Sequence, residues 1–305
     1  MTSFGIRVFR HLLLYLSIVF APHLALAEQT ARAASESSVA IGHALLWKIE
    51  GKGYAPSYLF GTIHIADPRV TKLAPPVRQA FDRAQRLVME VRMDYGAYAE
   101  VLQGMFFNDG TTLQSLIGTK LYRRVVQVMA HNGWTPNMVA IMKPWAVMST
   151  AGLAGFNTGV ALDLQLYNQA TLQRKPAYGL ESAAEQIAVF DGMSKQAQIE
   201  LVRSTVEHRD AAAAEAQSLL QAYLERDPDK LEQISRQEMR DTPPAFAAEF
   251  YQRVVTDRNR RMVQRLQAHL RAGNAFIAVG ALHLPGDSGI VHLLQEQGYA
   301  VTPVY

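Results

Sequence analysis

Six short apolar runs with strand character are spread unevenly along the chain, separated by text of helical period. The first two, residues 44–50 and 57–62 in "ALLWKIEGKGYAPSYLFGTIH", flank a Gly/Pro turn and predict a β-hairpin. A third, "RLVMEVRM", carries Glu90 near its end, and a fourth, "PAYGL" at 176–180, leads directly into Glu181. The last two, "AFIAVG" and "YAVTPVY", lie at the carboxyl end of the chain on either side of "GIVHLLQEQG". That segment predicts a helix stopped by Gly298.

Between these runs apolar residues recur every three to four positions. "PPVRQAFDRA" has proline in a first helical turn and Val77, Ala80, Phe81 and Ala84 on one side. Helical patterning dominates from about 95 to 175, with Gly133 as a stop, and again from about 194 to 272, where Leu219, Leu220, Tyr223 and Leu224 form an apolar side. Strands at both ends with helices in the middle predict an α/β (α+β) fold. Its mixed central sheet is built from N- and C-terminal segments, with a large helical insertion at approximately 95–272.

The first 27 residues do not belong to that pattern. Arg7 and Arg10 precede the apolar run "LLLYLSIVFA", and Ala25-Leu26-Ala27 forms an A-x-A site. This is the layout of a secretory signal peptide, with cleavage expected after Ala27. Pro22 and His23 interrupt the run short of the ~20 residues needed to cross a bilayer, so an uncleaved anchor is the weaker reading. Residues 28–42 are small and polar, a disordered lead-in to a domain spanning 43–305. The expectation is a periplasmic or secreted protein without a stable membrane anchor after cleavage.

Composition then removes whole classes of function. The chain of 305 residues is 49% hydrophobic and 19% charged, an ordinary globular balance. Loss of the leader takes two arginines and no acidic residue, lowering the formal charge from +3 to +1, and no Lys/Arg stripe invites nucleic acid. There is no cysteine, which excludes a disulfide framework, thiolate metal sites and a cysteine nucleophile. H-E-x-x-H, G-x-S-x-G, P-loop and G-x-G-x-x-G motifs are absent as well.

What remains is a repeated arrangement. "FGTIH" places His64 three residues after Gly61, and "VGALH" places His283 three residues after Gly280, each at the end of an apolar strand. Glycine lets the chain turn tightly as it leaves a sheet, and carboxyl edges of such sheets commonly hold ligands. One G-x-x-H favours a hydrogen-bonded core or turn histidine; two copies after matching strands favour a converging pair. Glu90 is the third candidate, because a carboxylate at the end of a buried strand must be paired, metal-bound or exposed. Two imidazoles and a carboxylate suit Zn, Mn, Co or Fe with open positions, and a salt bridge from Glu90 to Arg86 or Arg92 is the plainer alternative. Glu181 reads equally as a strand-exit residue or a first-turn helix carboxylate. Asp67 either orients His64 or caps the turn before Pro68, Arg260 and Arg261 read as a solvated helix face, and His208, His269 and His292 read as surface or packing residues.

The ordered set "LFGTIH", "LVMEV", "KPW", "YGLE" leading to Gln186, "DRN" and "VGALHLPGDSGIVHLLQEQGYAV" resembles the TraB/GumN family over residues 43 to 305. That family includes the Tiki-type metalloproteases and is more distantly similar to the erythromycin-esterase group. The resemblance implies a pocket in which His64, His283 and Glu90 are metal ligands for Mn, Co or Zn, or catalytic groups. It also implies that Glu90 is a ligand or a general base and that Arg258 stabilises developing oxyanion charge, with Asn259 and Glu181 in support. The first expectation is therefore a periplasmic metal-dependent hydrolase, a peptidase acting on a peptide or small-molecule substrate. Its rivals are a metal-independent, esterase-like hydrolase with a histidine base, and a non-catalytic binder of peptide or envelope polysaccharide.

Overall fold

The computed structural model describes residues 41–92, 94–151, 160–208 and 212–305. The expected signal peptide and nearly all of the lead-in lie outside the described residues. Six strands form one sheet: β1 (Leu46–Glu50), β2 (Ser57–Thr62), β3 (Arg86–Val91), β4 (Ala177–Glu181), β5 (Ala275–Gly280) and β6 (Ala300–Pro303). Their spatial order is β4-β3-β5-β2-β1-β6. The pairs β2–β5, β5–β3 and β3–β4 are parallel, whereas β1 pairs antiparallel with both β2 and β6. The mixed sheet expected from the sequence is thus present, and β4 joins it from within the largely helical stretch.

β5 is the centre, and it shows why: all six residues of "AFIAVG" are buried, as a strand covered on both faces requires. Alternate residues of the sheet feed two separate cores. On one face Phe60, Leu87 and Phe276 pack against the helix Pro75–Arg83 and against Leu166 and Tyr223 from the helices Leu162–Leu172 and Ala212–Leu224. Phe81 meets Phe276 edge-on at 5.3 Å between ring centres. On the other face Leu59, Val88 and Ile277 pack against Met262, Leu266 and Leu270 of the helix Asp257–Ala272 and against Ile290 and Leu294 of Ile290–Glu296.

The remaining helices build a third core of their own around Met105, Met129, Trp145, Val202, Phe250 and Val254. Leu282, one residue before His283, packs against both this core and the first sheet core. The helical body therefore abuts the sheet where the second G-x-x-H turn leaves it. Among the described residues no helix is long and apolar enough to cross a membrane.

Candidate active site at the carboxyl edge of the sheet

Parallel pairing decides which residues can meet. β2 and β5 are neighbours with Gly61 opposite Val279 and Thr62 opposite Gly280, so the two G-x-x-H turns leave the same edge side by side. They touch directly: a Cβ on Gly61 would lie 2.7 Å from Leu284 Cδ1 and 3.1 Å from Ala281 Cα. Glycine is needed here for close approach of two chain segments rather than for an unusual φ. β3 and β4 bring Glu90 and Glu181 to the same edge, with Val91 opposite Glu181.

The cation that answers these carboxylates arrives from a helix. Helix Pro244–Tyr251 runs through one π-turn, Gln252–Thr256, into Asp257–Ala272. Such turns rotate the residues that follow and recur at functional sites. Arg258 and Asn259, just beyond it, are both buried. Arg258 Nη2 donates to Glu90 Oε2 at 2.6 Å and Nε donates to Glu181 Oε2 at 2.9 Å. Arg261 closes the other side of Glu181, with Nη2 2.6 Å from Oε1. Gln186 Nε2 lies 3.4 Å from Glu90 Oε2 and 3.3 Å from Glu181 Oε2. Two carboxylates and two guanidiniums balance in charge. The salt bridge anticipated for Glu90 exists, but to Arg258 rather than Arg86 or Arg92, and Arg92 pairs with Asp94. Arg261 is half-buried on Glu181 rather than on a solvated face; Arg260 is exposed as expected.

Glu90 Oε1 accepts the Gly280 N–H at 2.5 Å, which ties the third strand to the glycine of the second motif. Burial alone would push the Glu90 carboxyl up, but Arg258, then His283, His64 and the Gly280 N–H, hold it down at about 2. It is ionised at any physiological pH.

His283 is 2% exposed and its tautomer follows from Asn259. Asn259 Nδ2 donates to the carbonyls of Ser288 at 2.7 Å and His283 at 3.3 Å, which orients the amide and leaves Oδ1 as an acceptor 2.6 Å from His283 Nδ1. The ring proton is therefore on Nδ1. The other nitrogen, Nε2, lies 3.6 Å from Glu90 Oε1. Burial pushes the His283 pKa down to about 4, with Glu90 pulling upward and Arg258 downward, so the ring is neutral.

His64 is half-buried, and its Nδ1 lies 2.7 Å from Asp163 Oδ2. Thr62 Oγ1 donates to the other carboxylate oxygen at 2.7 Å. Burial favours the neutral ring, but Asp163 outweighs it and the His64 pKa is raised. Asp67 does not perform this task; it caps the helix Pro68–Thr71 by accepting from the Arg69 N–H. Asp163 escaped the sequence reading because "ALDL" looks like any acidic first turn of a helix, and its distance from Thr62 in the chain offers no spacing to detect. Lys143 and Trp145 both donate to Asp191, and His269 packs on the Tyr178 ring.

The donor types suit a divalent cation, and one structural detail fits it. Two unprotonated acceptors, His283 Nε2 and Glu90 Oε1, face one another in a buried spot, an arrangement that favours a cation between them. Two ligands of one tetrahedral zinc stand roughly 3.4 Å apart, close to the separation seen. Among the described residues no group of three His, Cys, Asp or Glu side chains is placed to hold a metal, so the residues that would hold a cation here are His283 and Glu90. At the same edge a groove of about 630 Å³ opens beside Glu181, lined also by Val91, Asp94, Glu100, Gly179 and Arg265.

Several known proteins are similar in sequence to this chain. Uncharacterized protein YbaP of Shigella flexneri is 23% identical over 250 residues, covering 80% of this chain and 89% of the relative. Metalloprotease TIKI1 of Danio rerio is 24% identical over 311 residues, covering 85% of this chain but 63% of the relative's length. Metalloprotease TIKI2 of the same organism is similar at 23% over 314 residues, 85% of this chain and 60% of the relative. No solved structure matches. The TraB/PrgY/gumN family model matches residues 45–303, from the residue before β1 to the end of β6, and the chain belongs to the TraB/PrgY/gumN family.

Proposed function

We propose that this protein is a metal-dependent hydrolase of the peptidase kind, working outside the cytoplasm, with its reacting groups at the carboxyl edge of β2, β3 and β5. The observation that carries the proposal is the facing pair of His283 Nε2 and Glu90 Oε1 at 3.6 Å, both unprotonated and both fixed from behind. His283 and Glu90 would hold the cation, whose chemistry is to activate water and polarise a carbonyl. The metalloprotease names of the TIKI relatives and the leader-like N-terminus support the reading.

The chain's own residues divide the remaining work. Asn259 keeps the His283 proton on Nδ1, and Arg258 with Gly280 N–H keeps Glu90 ionised. His64, half-buried and backed by a carboxylate, is the group suited to carry a proton to or from a reacting amide. Arg258 is fully committed to Glu90 and Glu181, so its electrostatic role passes through those carboxylates rather than through direct contact with substrate.

A metal-independent hydrolase is the second reading, favoured by the fact that the buried charges of Glu90, Glu181, Arg258 and Arg261 already balance. Hydrolysis of a peptide library with and without exhaustive chelation, followed by re-addition of Mn, Co or Zn, separates the two. Activity lost on chelation and restored by metal supports the first; activity that survives chelation selects the second.

A further inference from the structure

We infer that Asp163 is a positioning residue for His64: with one oxygen anchored by Thr62, it takes the Nδ1 proton of the first G-x-x-H histidine and fixes which ring nitrogen that histidine presents to the site. The two carboxylate oxygens have separate partners. Oδ1 accepts from Thr62 Oγ1 at 2.7 Å, and Oδ2 lies 2.7 Å from His64 Nδ1. Thr62 is the last residue of β2, buried and opposite Gly280, so the anchor is part of the sheet itself. Asp163 thus bridges the two ends of the Thr62-Ile63-His64 turn and sets the ring against the strand it has just left.

The same turn is held at a further point. Tyr223 Oη donates to the Gly61 carbonyl at 2.9 Å, and Tyr223 is itself 4% exposed. The first motif is gripped at Gly61, Thr62 and His64 by side chains from helices that lie between β3 and β5 in sequence. The second motif is gripped by Asn259. In the second motif Asn259 Oδ1 accepts from Nδ1, and in the first Asp163 Oδ2 stands 2.7 Å from Nδ1 as an ion-pair partner, so in each an oxygen backs Nδ1, one from an amide and the other from a carboxylate. A carboxylate behind an imidazole fixes its tautomer and increases the basicity of Nε2. An exposed ion pair would do little of this, but the Asp163 and His64 side chains are only 13% and 18% exposed.

The inference rests on the reading of the two histidines as one site, yet its test does not require a bound cation or turnover. The full chain is labelled with ¹⁵N in its imidazoles, and the His64 signals are assigned by their loss in His64→Gln. At a pH where the ring is neutral, the wild type should show His64 in the Nδ1–H form. Asp163→Ala and the near-isosteric Asp163→Leu should each shift it toward the Nε2–H form or a mixture, while Asp163→Asn, which keeps an acceptor, should largely retain it. His283, held by Asn259, should not move in any of them. A His64 tautomer unchanged in whichever of the Ala and Leu variants folds overturns the inference, as does a wild type in the Nε2–H form. Titration of Mn²⁺ into the same samples distinguishes the two readings. If the proposed function holds, every sample binds the ion through His283 and Glu90, and the Asp163 variants that lose the tautomer instead lose roughly 10- to 100-fold in peptide hydrolysis. If the tautomer responds to Asp163 but no sample binds the ion, the positioning role stands and the metal reading falls.

Discussion

Arg258 Nη2 sits 2.6 Å from Glu90 Oε2 in the interior, joining residues that are 168 positions apart in the chain. The contact brings together the end of β3 and the helix beyond the π-turn, and it keeps Glu90 charged where solvent cannot. Removing one partner of such a pair strands the other. Arg258→Met should lower stability by about 3–5 kcal/mol, because Glu90 and Glu181 lose their shared cation. Arg261→Ala, whose side chain is 31% exposed, should cost about 1 kcal/mol or less. Urea unfolding of both variants checks the contrast, and equal losses would contradict it.

Acid should loosen the cation-free protein in two steps. A group whose pKa is lower in the fold than in the unfolded chain binds fewer protons when folded over the interval between, so stability falls as pH falls. For His283 the interval runs from 6.5 to about 4, and for Glu90 from 4.5 to about 2. His64 has the opposite sign: its raised pKa contributes fully below 6.5, and that contribution fades as pH rises through the folded value. The His283 step is on the order of 3 kcal/mol. Urea midpoints of chelated protein should therefore drop on acidification below about pH 6.5, and His283→Gln should remove the upper step while His64→Gln does not.

Gly61 is packed against the turn that carries His283, so a single methyl at this position reaches the second motif. Gly61→Ala should destabilise by about 1–3 kcal/mol through overpacking against Ala281 and Leu284. It should also weaken cation binding, because the clash pushes on the His283 turn. Thermal melts and Mn²⁺ titration read the two effects, and a variant that melts and binds like the wild type would show that the turns do not touch.

Strands were the most legible part of this sequence. Each of the six carries a compact apolar run, and the paired Gly61/His64 and Gly280/His283 spacing pointed to neighbouring strands because both runs end in the same way. Glu90 and Glu181 were visible as carboxylates misplaced at the ends of buried runs. Asp163, the Arg261 ion pair and the choice of Arg258 over Arg86 and Arg92 were not. Each depends on how helices distant in sequence dock on the sheet edge, and neither helical period nor local spacing encodes that docking. Asp67 misleads for the same reason: it is near His64 in sequence, but Pro68 starts a helix there and the carboxylate is spent on its cap.

The most direct test of the account is the divalent metal content of purified protein equilibrated with Mn, Co or Zn and freed of excess ion. The facing His283 and Glu90 predict about one ion per chain in the wild type, a clear loss in His283→Ala, and an ion retained in His64→Ala. A wild type that retains no ion, or a His283→Ala variant that retains as much as the wild type, would contradict it.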